Sequence, residues 1–264
     1  MQIKRLLAAA ILLPPFYFYV MKLPGSYFFA LLLSIALLAM WEFYSMYRVD
    51  ALMKGAGMVC GGCIFFAAYL TGDPLPYVSL PAFMTIFAIR LFGRREPGSS
   101  LRDISYTILA LLYIPCLLSF QLLIRQLGGP RWIIFLFGCV WIADSFALYV
   151  GKGMGRRKLY AEVSPNKTVA GAVGSVVGGA FSGWLLNLVL VRALDPWKAA
   201  LMGLIIGTTT IIGDLVESMF KRDAGVKDSS TIIPGHGGVL DKVDGVLFAG
   251  PILYWVSVAA GLME

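Results

Sequence analysis

Asp214, Glu217, Ser218 and Lys221 stand at i, i+3, i+4 and i+7 of the stretch Gly213–Arg222. On a helix this spacing makes one stripe carrying two carboxylates a turn apart, then a hydroxyl, then an ammonium. A surface ion-pair stripe would account for Lys221, but not for Asp214, which follows the uncharged run Gly203–Gly213. Asp241 and Asp244 are again three residues apart and directly precede an apolar segment. Asp144 lies inside the apolar run Phe135–Val150. An aspartate at mid-membrane depth costs about 2.5–3.5 kcal/mol, so it normally faces protein or water and serves a function. A hydrogen bond to a neighbouring helix is the structural alternative. Clustered carboxylates repel and take up protons unless a cation sits among them. Hard oxygen ligands beside phosphate binders favour Mg²⁺, and the five acids exceed the needs of one ion, which leaves room for a second cation.

Basic and glycine-rich segments nearby have the chemistry of anion sites. Ser164-Pro165-Asn166-Lys167-Thr168 leads straight into a small-residue segment with Gly171, Gly174, Gly178 and Gly179. A helix N-terminus with free N–H groups next to a lysine is a phosphate site, and ordinary capping plus GxxxG packing explains the same residues equally well. Gly151-Lys-Gly153-Met-Gly155-Arg156-Arg157-Lys158 lacks the GxxxxGK[ST] spacing, so no Walker loop is present. His236 is the single histidine and sits among glycines, which excludes a multi-histidine metal site. Cys60-Gly-Gly-Cys63 has redox spacing but no second pair, and reads as small residues between helices.

These residues need a scaffold, and composition says which. With 59% hydrophobic and 14% charged residues in 264, the chain calls for a bilayer rather than an aqueous core. The expected fold is all-α, a polytopic membrane protein with about nine transmembrane helices near 6–21, 26–47, 55–71, 75–93, 104–124, 131–151, 168–190, 198–220 and 245–262. Lys4 and Arg5 before an apolar run resemble a signal peptide, but no cleavage site follows and Pro14-Pro15 interrupts the run, so a retained first helix is expected. With the N-terminus cytoplasmic, the outer segments carry only Lys22, Arg125, Arg131, Arg192 and Lys198 of the 22 basic residues. The net charge of +7 is thus spread over loops that meet anionic lipid and gives no nucleic-acid surface. Two regions are expected: N-terminal helices over 1–125, open to a lipid-access role, and C-terminal helices over 126–264 with the site on the cytoplasmic face of the cell membrane. The glycines of the seventh span suit a homodimer and internal packing equally.

The segment from Ser218-Met-Phe-Lys221-Arg222 through Lys227-Asp228-Ser-Ser230 and Pro234-Gly-His236-Gly237-Gly238-Val239-Leu-Asp241-Lys242-Val243-Asp244 resembles the signature of phosphatidate cytidylyltransferases. Asp144, Gly153–Arg156 and Ser164–Thr168 resemble that family too, so the likeness covers roughly residues 140–250. Two positions depart from the pattern: Lys242 where the family usually has arginine, and Ala170 where it commonly has glutamate. The resemblance implies the Mg²⁺-dependent reaction of CTP with phosphatidate to give CDP-diacylglycerol and pyrophosphate. It implies metal ligands among Asp144, Asp214, Glu217, Asp241 and Asp244, and catalytic roles for Asp214, Lys221, Asp241, Asp244 and His236. Lys167, Arg222 and Lys227, with Ser164, Thr168, Ser218, Asp228 and Lys242, are the implied substrate-binding set.

Three other readings compete. A secondary transporter also places acids in the membrane, but no internal repeat is evident and the polar cluster lies at one face. CDP-alcohol phosphotransferases carry Asp-Gly-x-x-Ala-Arg, whereas Asp244-Gly245 continues Val-Leu-Phe-Ala. A CTP-dependent lipid kinase shares the nucleotide and differs in releasing CDP rather than pyrophosphate.

Overall fold

The computed structural model describes residues 13–73, 75, 77–93, 96–192, 194–232 and 237–263. Residues 13–22 are helical (α1), and α2 (Gly25–Met46), α3 (Ala51–Thr71) and α4 (Ser79–Phe92) follow. Asp50 starts α3 by accepting from the Leu52 and Met53 amides at 2.9 and 3.4 Å. Gly72 ends it at φ 68°, a left-handed conformation open to glycine. Next come α5 (Ser100–Leu111) and α6 (Leu117–Gly128), joined through a π turn at Leu112–Cys116. Pro115 sits within that turn, where its missing N–H breaks the regular ladder. The C-terminal half holds α7 (Pro130–Met154), α8 (Val169–Leu186), α9 (Pro196–Asp223) and α10 (Leu240–Ala259).

Among the described residues seven segments are long and apolar enough to cross a membrane: α2, α3, 97–128, α7, 169–191, α9 and α10. The protein is therefore a polytopic, essentially all-α membrane protein. The two remaining expected spans are the fourth, which is the 14-residue α4, and the first, much of which lies outside the described residues. One departure from all-helical structure is a hairpin of β1 (Lys158–Tyr160) and β2 (Ser164–Thr168), paired antiparallel between α7 and α8.

The glycines of α8 are used inside the chain. A methyl group at Gly178 would fall 2.6 Å from Phe146 of α7, and one at Gly183 would fall 2.2 Å from the Ala199 carbonyl oxygen of α9. From the other side, a methyl on Gly203 would fall 2.1 Å from the Gly179 carbonyl oxygen. Backbone meets backbone along this seam, tied by the Ser175 hydroxyl donating to the Gly207 carbonyl at 3.0 Å. A homodimer would have to use other surfaces. Because the obstacle is backbone, Gly203→Val is expected to cost at least the 1–3 kcal/mol typical of overpacking. Thermal unfolding in detergent checks this, and an unchanged midpoint would refute it.

A second close crossing sets the site. A methyl on Gly213 of α9 would lie 2.4 Å from the Asp244 carbonyl oxygen of α10, so the two helices touch where each carries an acid. The N-terminal half closes over this crossing. Phe43 of α2 and Tyr113 of the π turn set their rings against Phe220 of α9 at 5.8 and 5.2 Å. The Gln121 amide of α6 donates to the Val246 carbonyl of α10 at 2.9 Å.

Candidate active site

The polar groups gather at one end of the bundle: the last turns of α7 and α9, the hairpin, and the first turns of α8 and α10. Asp214, Glu217 and Asp244 each bring a carboxylate oxygen within 4.8 Å of the others. Glu217 is buried at 1% exposure and ion-paired to Lys221, a turn away on α9. The Lys221 ammonium also reaches Asp241 Oδ1 at 2.5 Å, joining α9 to α10. Asp241 Oδ2 accepts from the Ser229 amide at 3.1 Å and the Gly238 amide at 2.6 Å, and lies 2.9 Å from the Ser229 hydroxyl. Gly237 has φ 82°, and a methyl there would lie 2.5 Å from Asp241 Oδ2. The glycines of the signature thus let the loop wrap the aspartate.

On the hairpin side, Lys167 pairs with Asp214 Oδ2 at 2.6 Å. The two residues line a cavity of about 730 Å³ with Asp144, Gly151, Lys152, Ser164, Asn166, Thr168 and Gly171 among its walls. Thr168 is the N-cap of α8, its hydroxyl accepting from the Gly171 amide at 3.1 Å. The cavity therefore has a helix N-terminus, two lysines and two aspartates around one space, in the size range of small-molecule sites.

The expected site residues divide by position. Asp144, Asp214, Glu217, Asp241, Asp244, Lys167, Lys221, Ser164, Thr168 and Ser218 are all brought to this end, Ser218 donating to Asp214 Oδ1 at 3.4 Å. Arg222 uses Nε on the Val163 carbonyl and Nη1 on the Val226 carbonyl, at 3.2 and 3.0 Å, and so ties hairpin to loop. Lys227, Asp228 and Lys242 are exposed and stand outside the buried network. His236 lies outside the described residues.

Two residues at this end were not found by spacing. Glu42 of α2 is fully buried and contacts Ser229, Ser230, Val239 and Leu240. Its signal was an acid inside an apolar run, the argument that singled out Asp144. Tyr113 is 5% exposed, and its hydroxyl has no hydrogen-bond partner among the described residues. Its place on a π turn was invisible to periodicity, although such turns gather at functional sites.

Buried acids, lysines and a capped helix end in a polytopic bundle have the chemistry of a site for phosphate groups. The sequence model of the cytidylyltransferase family matches residues 3–259, and the chain belongs to that family. It is 32% identical to a phosphatidate cytidylyltransferase from Synechocystis sp., over 91% of this chain and 92% of the relative. The Bacillus subtilis phosphatidate cytidylyltransferase is 38% identical over 58% of each chain. That of Brucella abortus biovar 1 is 45% identical over 48% of this chain and 46% of its own.

Proposed function

We propose that the chain transfers the cytidylyl group of CTP to phosphatidate in membrane phospholipid synthesis, releasing pyrophosphate, with Mg²⁺ at Asp214, Glu217 and Asp244. The observation that carries this is charge. Five carboxylates, Asp144, Asp214, Glu217, Asp241 and Asp244, share one end of the bundle, and among the described residues only Lys167 and Lys221 pair with them. The surplus of negative charge beside a cavity in the size range of small-molecule sites fits a hard divalent cation, with Asp144 available to a second. Bound Mg²⁺ supplies charge neutralisation for the two anionic substrates and for the pyrophosphate that departs.

The chain's own residues do the rest. A phosphate oxygen of phosphatidate attacks the α-phosphorus of CTP, the bond from that phosphorus to the β-phosphate oxygen breaks, and pyrophosphate leaves. Phosphatidate brings its nucleophile already ionised, so the protein must chiefly align two anions. Lys167, Lys152, Thr168 and the α8 N-terminus are suited to the CTP phosphates, with Ser164 at the cavity wall. Lys221 holds Glu217 and Asp241 in place. Lys227 and Lys242, both exposed, are assigned to the lipid head group, and His236 is assigned to assist the leaving group. The helices before residue 125 are assigned to lipid access. The distribution of basic residues supports nine crossings with the N-terminus and the site in the cytoplasm.

The test is turnover of purified protein with phosphatidate, Mg²⁺ and CTP labelled in the cytidine. Label should pass to lipid with one pyrophosphate per lipid, and EDTA should stop it. Release of CDP with unlabelled lipid would replace this reading with a lipid kinase.

A further inference from the structure

Glu42 lies near the end of α2, far in sequence from every residue of the signature, yet each of its oxygens is used by the signature loop. Oε1 accepts from the Ser230 hydroxyl at 2.6 Å and the Val239 amide at 2.8 Å. Oε2 accepts from the Leu240 amide at 2.8 Å and lies 3.1 Å from the Ser229 hydroxyl. A carboxylate offers about four acceptor sites, and this one meets four donors in a space closed to solvent. Val239 and Leu240 begin α10, whose N-cap Val239 has no side chain able to cap it. Glu42 therefore caps α10 from another helix, satisfying amides that have no partner inside α10. The space around it admits only glycine at 238, because a methyl there would fall 2.5 Å from Glu42 Oε2 and 2.1 Å from Ser229 Oγ.

The contacts continue into the acidic centre. The Ser229 hydroxyl stands 3.1 Å from Glu42 Oε2 and 2.9 Å from Asp241 Oδ2, and has one hydrogen to give to either. Asp241 holds Lys221, and Lys221 pairs with Glu217, one of the three acids that converge. Asp244 lies one turn along α10 from Asp241. The orientation of both α10 aspartates thus depends on how the loop and the first turn of α10 are held.

We propose that Glu42 is a positioning residue for the transfer reaction, fixing Ser229, Ser230 and the start of α10 so that Asp241 and Asp244 face the acids of α9. The proposal rests on the cytidylyltransferase reading, and it makes the N-terminal half a contributor to catalysis rather than only a lipid-facing frame. Glutamine at 42 keeps the shape but has one acceptor oxygen and an NH₂ group, which would face donors. Aspartate keeps both acceptor oxygens one methylene farther back.

The experiment compares wild type, Glu42→Gln and Glu42→Asp in detergent, reading kcat and KM per folded molecule together with hydrogen–deuterium exchange of the 229–240 segment. The expected result for Glu42→Gln is a ten- to hundredfold loss in kcat, the range seen when supporting partners of metal ligands are removed. KM for CTP should stay within about twofold, since the α8 cavity is untouched. Exchange at the amides of 229–230 and 238–240 should quicken, and Glu42→Asp should fall between wild type and Glu42→Gln in both readouts. Wild-type kcat in folded Glu42→Gln overturns the proposal, as does a loss of kcat without faster exchange. If wild type itself transfers no cytidylyl group, the functional reading fails while the exchange data still judge the anchoring of the loop.

Discussion

Asp244→Asn is expected to lower kcat about a thousandfold while leaving the protein at least as stable as before. The two halves of this result have one cause. Asp244 stands with Asp214 and Glu217 in a group whose oxygens approach within 4.8 Å, and like charges at that distance disfavour the folded state unless a cation joins them. An amide of the same shape removes a repulsion and also removes a ligand. Stability should therefore hold or rise as activity falls, the pattern of a site strained for function. Losing one group that stabilises transition-state charge typically costs about 10²–10³ in rate, and a metal ligand belongs at the upper end. Asp214→Asn should lower kcat likewise, but it also takes the charge partner from Lys167, so its stability should fall below that of Asp244→Asn. Single-turnover kinetics and thermal melts with and without Mg²⁺ measure both halves. Near-normal turnover in either variant removes that residue from the metal site.

Lys221→Met should do the opposite to stability. Its ammonium is the partner of Glu217 and of Asp241 Oδ1, and its side chain is only 11% exposed. Taking away one member of a buried charge group leaves the others uncompensated, at a cost of about 3–5 kcal/mol. The Lys221→Met protein should accordingly melt far lower and turn over no substrate. Glu217→Gln in the same chain removes one of the two stranded charges, while Asp241 keeps its Ser229 and Gly238 donors, so the double variant should regain part of the lost stability and none of the activity. A double-mutant cycle on thermal or chemical unfolding isolates that coupling. Additive effects of the two substitutions would mean that the ion pair carries no folding energy.

Much of this site could be read in the sequence because its largest element is one helix. Asp214, Glu217, Ser218 and Lys221 needed only the helical repeat to be placed on one stripe, and α9 carries them so. Asp241 and Asp244 open α10 in the same way. The cap at Thr168 was legible as well, but the strand leading to it was not. Ser164-Pro-Asn-Lys-Thr has no alternation of apolar and polar residues, and it pairs with Lys158–Tyr160 because the ends of α7 and α8 hold the two strands together. The span expected at 104–124 extends over 97–128, since the π turn at Pro115 lets the helix continue where a proline usually ends one. Glu42 escaped for a different reason. Its partners lie 187 to 198 residues away, and no local repeat encodes a contact at that separation.

That separation also has a bearing on how the protein comes into being. Glu42 enters the membrane with an early helix, whereas the amide it caps at Leu240 is 198 residues behind it. At about 5–20 residues per second of synthesis, the carboxylate waits roughly 10–40 s before its partner leaves the ribosome. Throughout that interval it must be satisfied by water or head groups at the membrane boundary. Of the described helices, α10 is therefore the one whose arrival completes the acidic centre, and a nascent chain stalled before α10 would hold most of the bundle with no working centre.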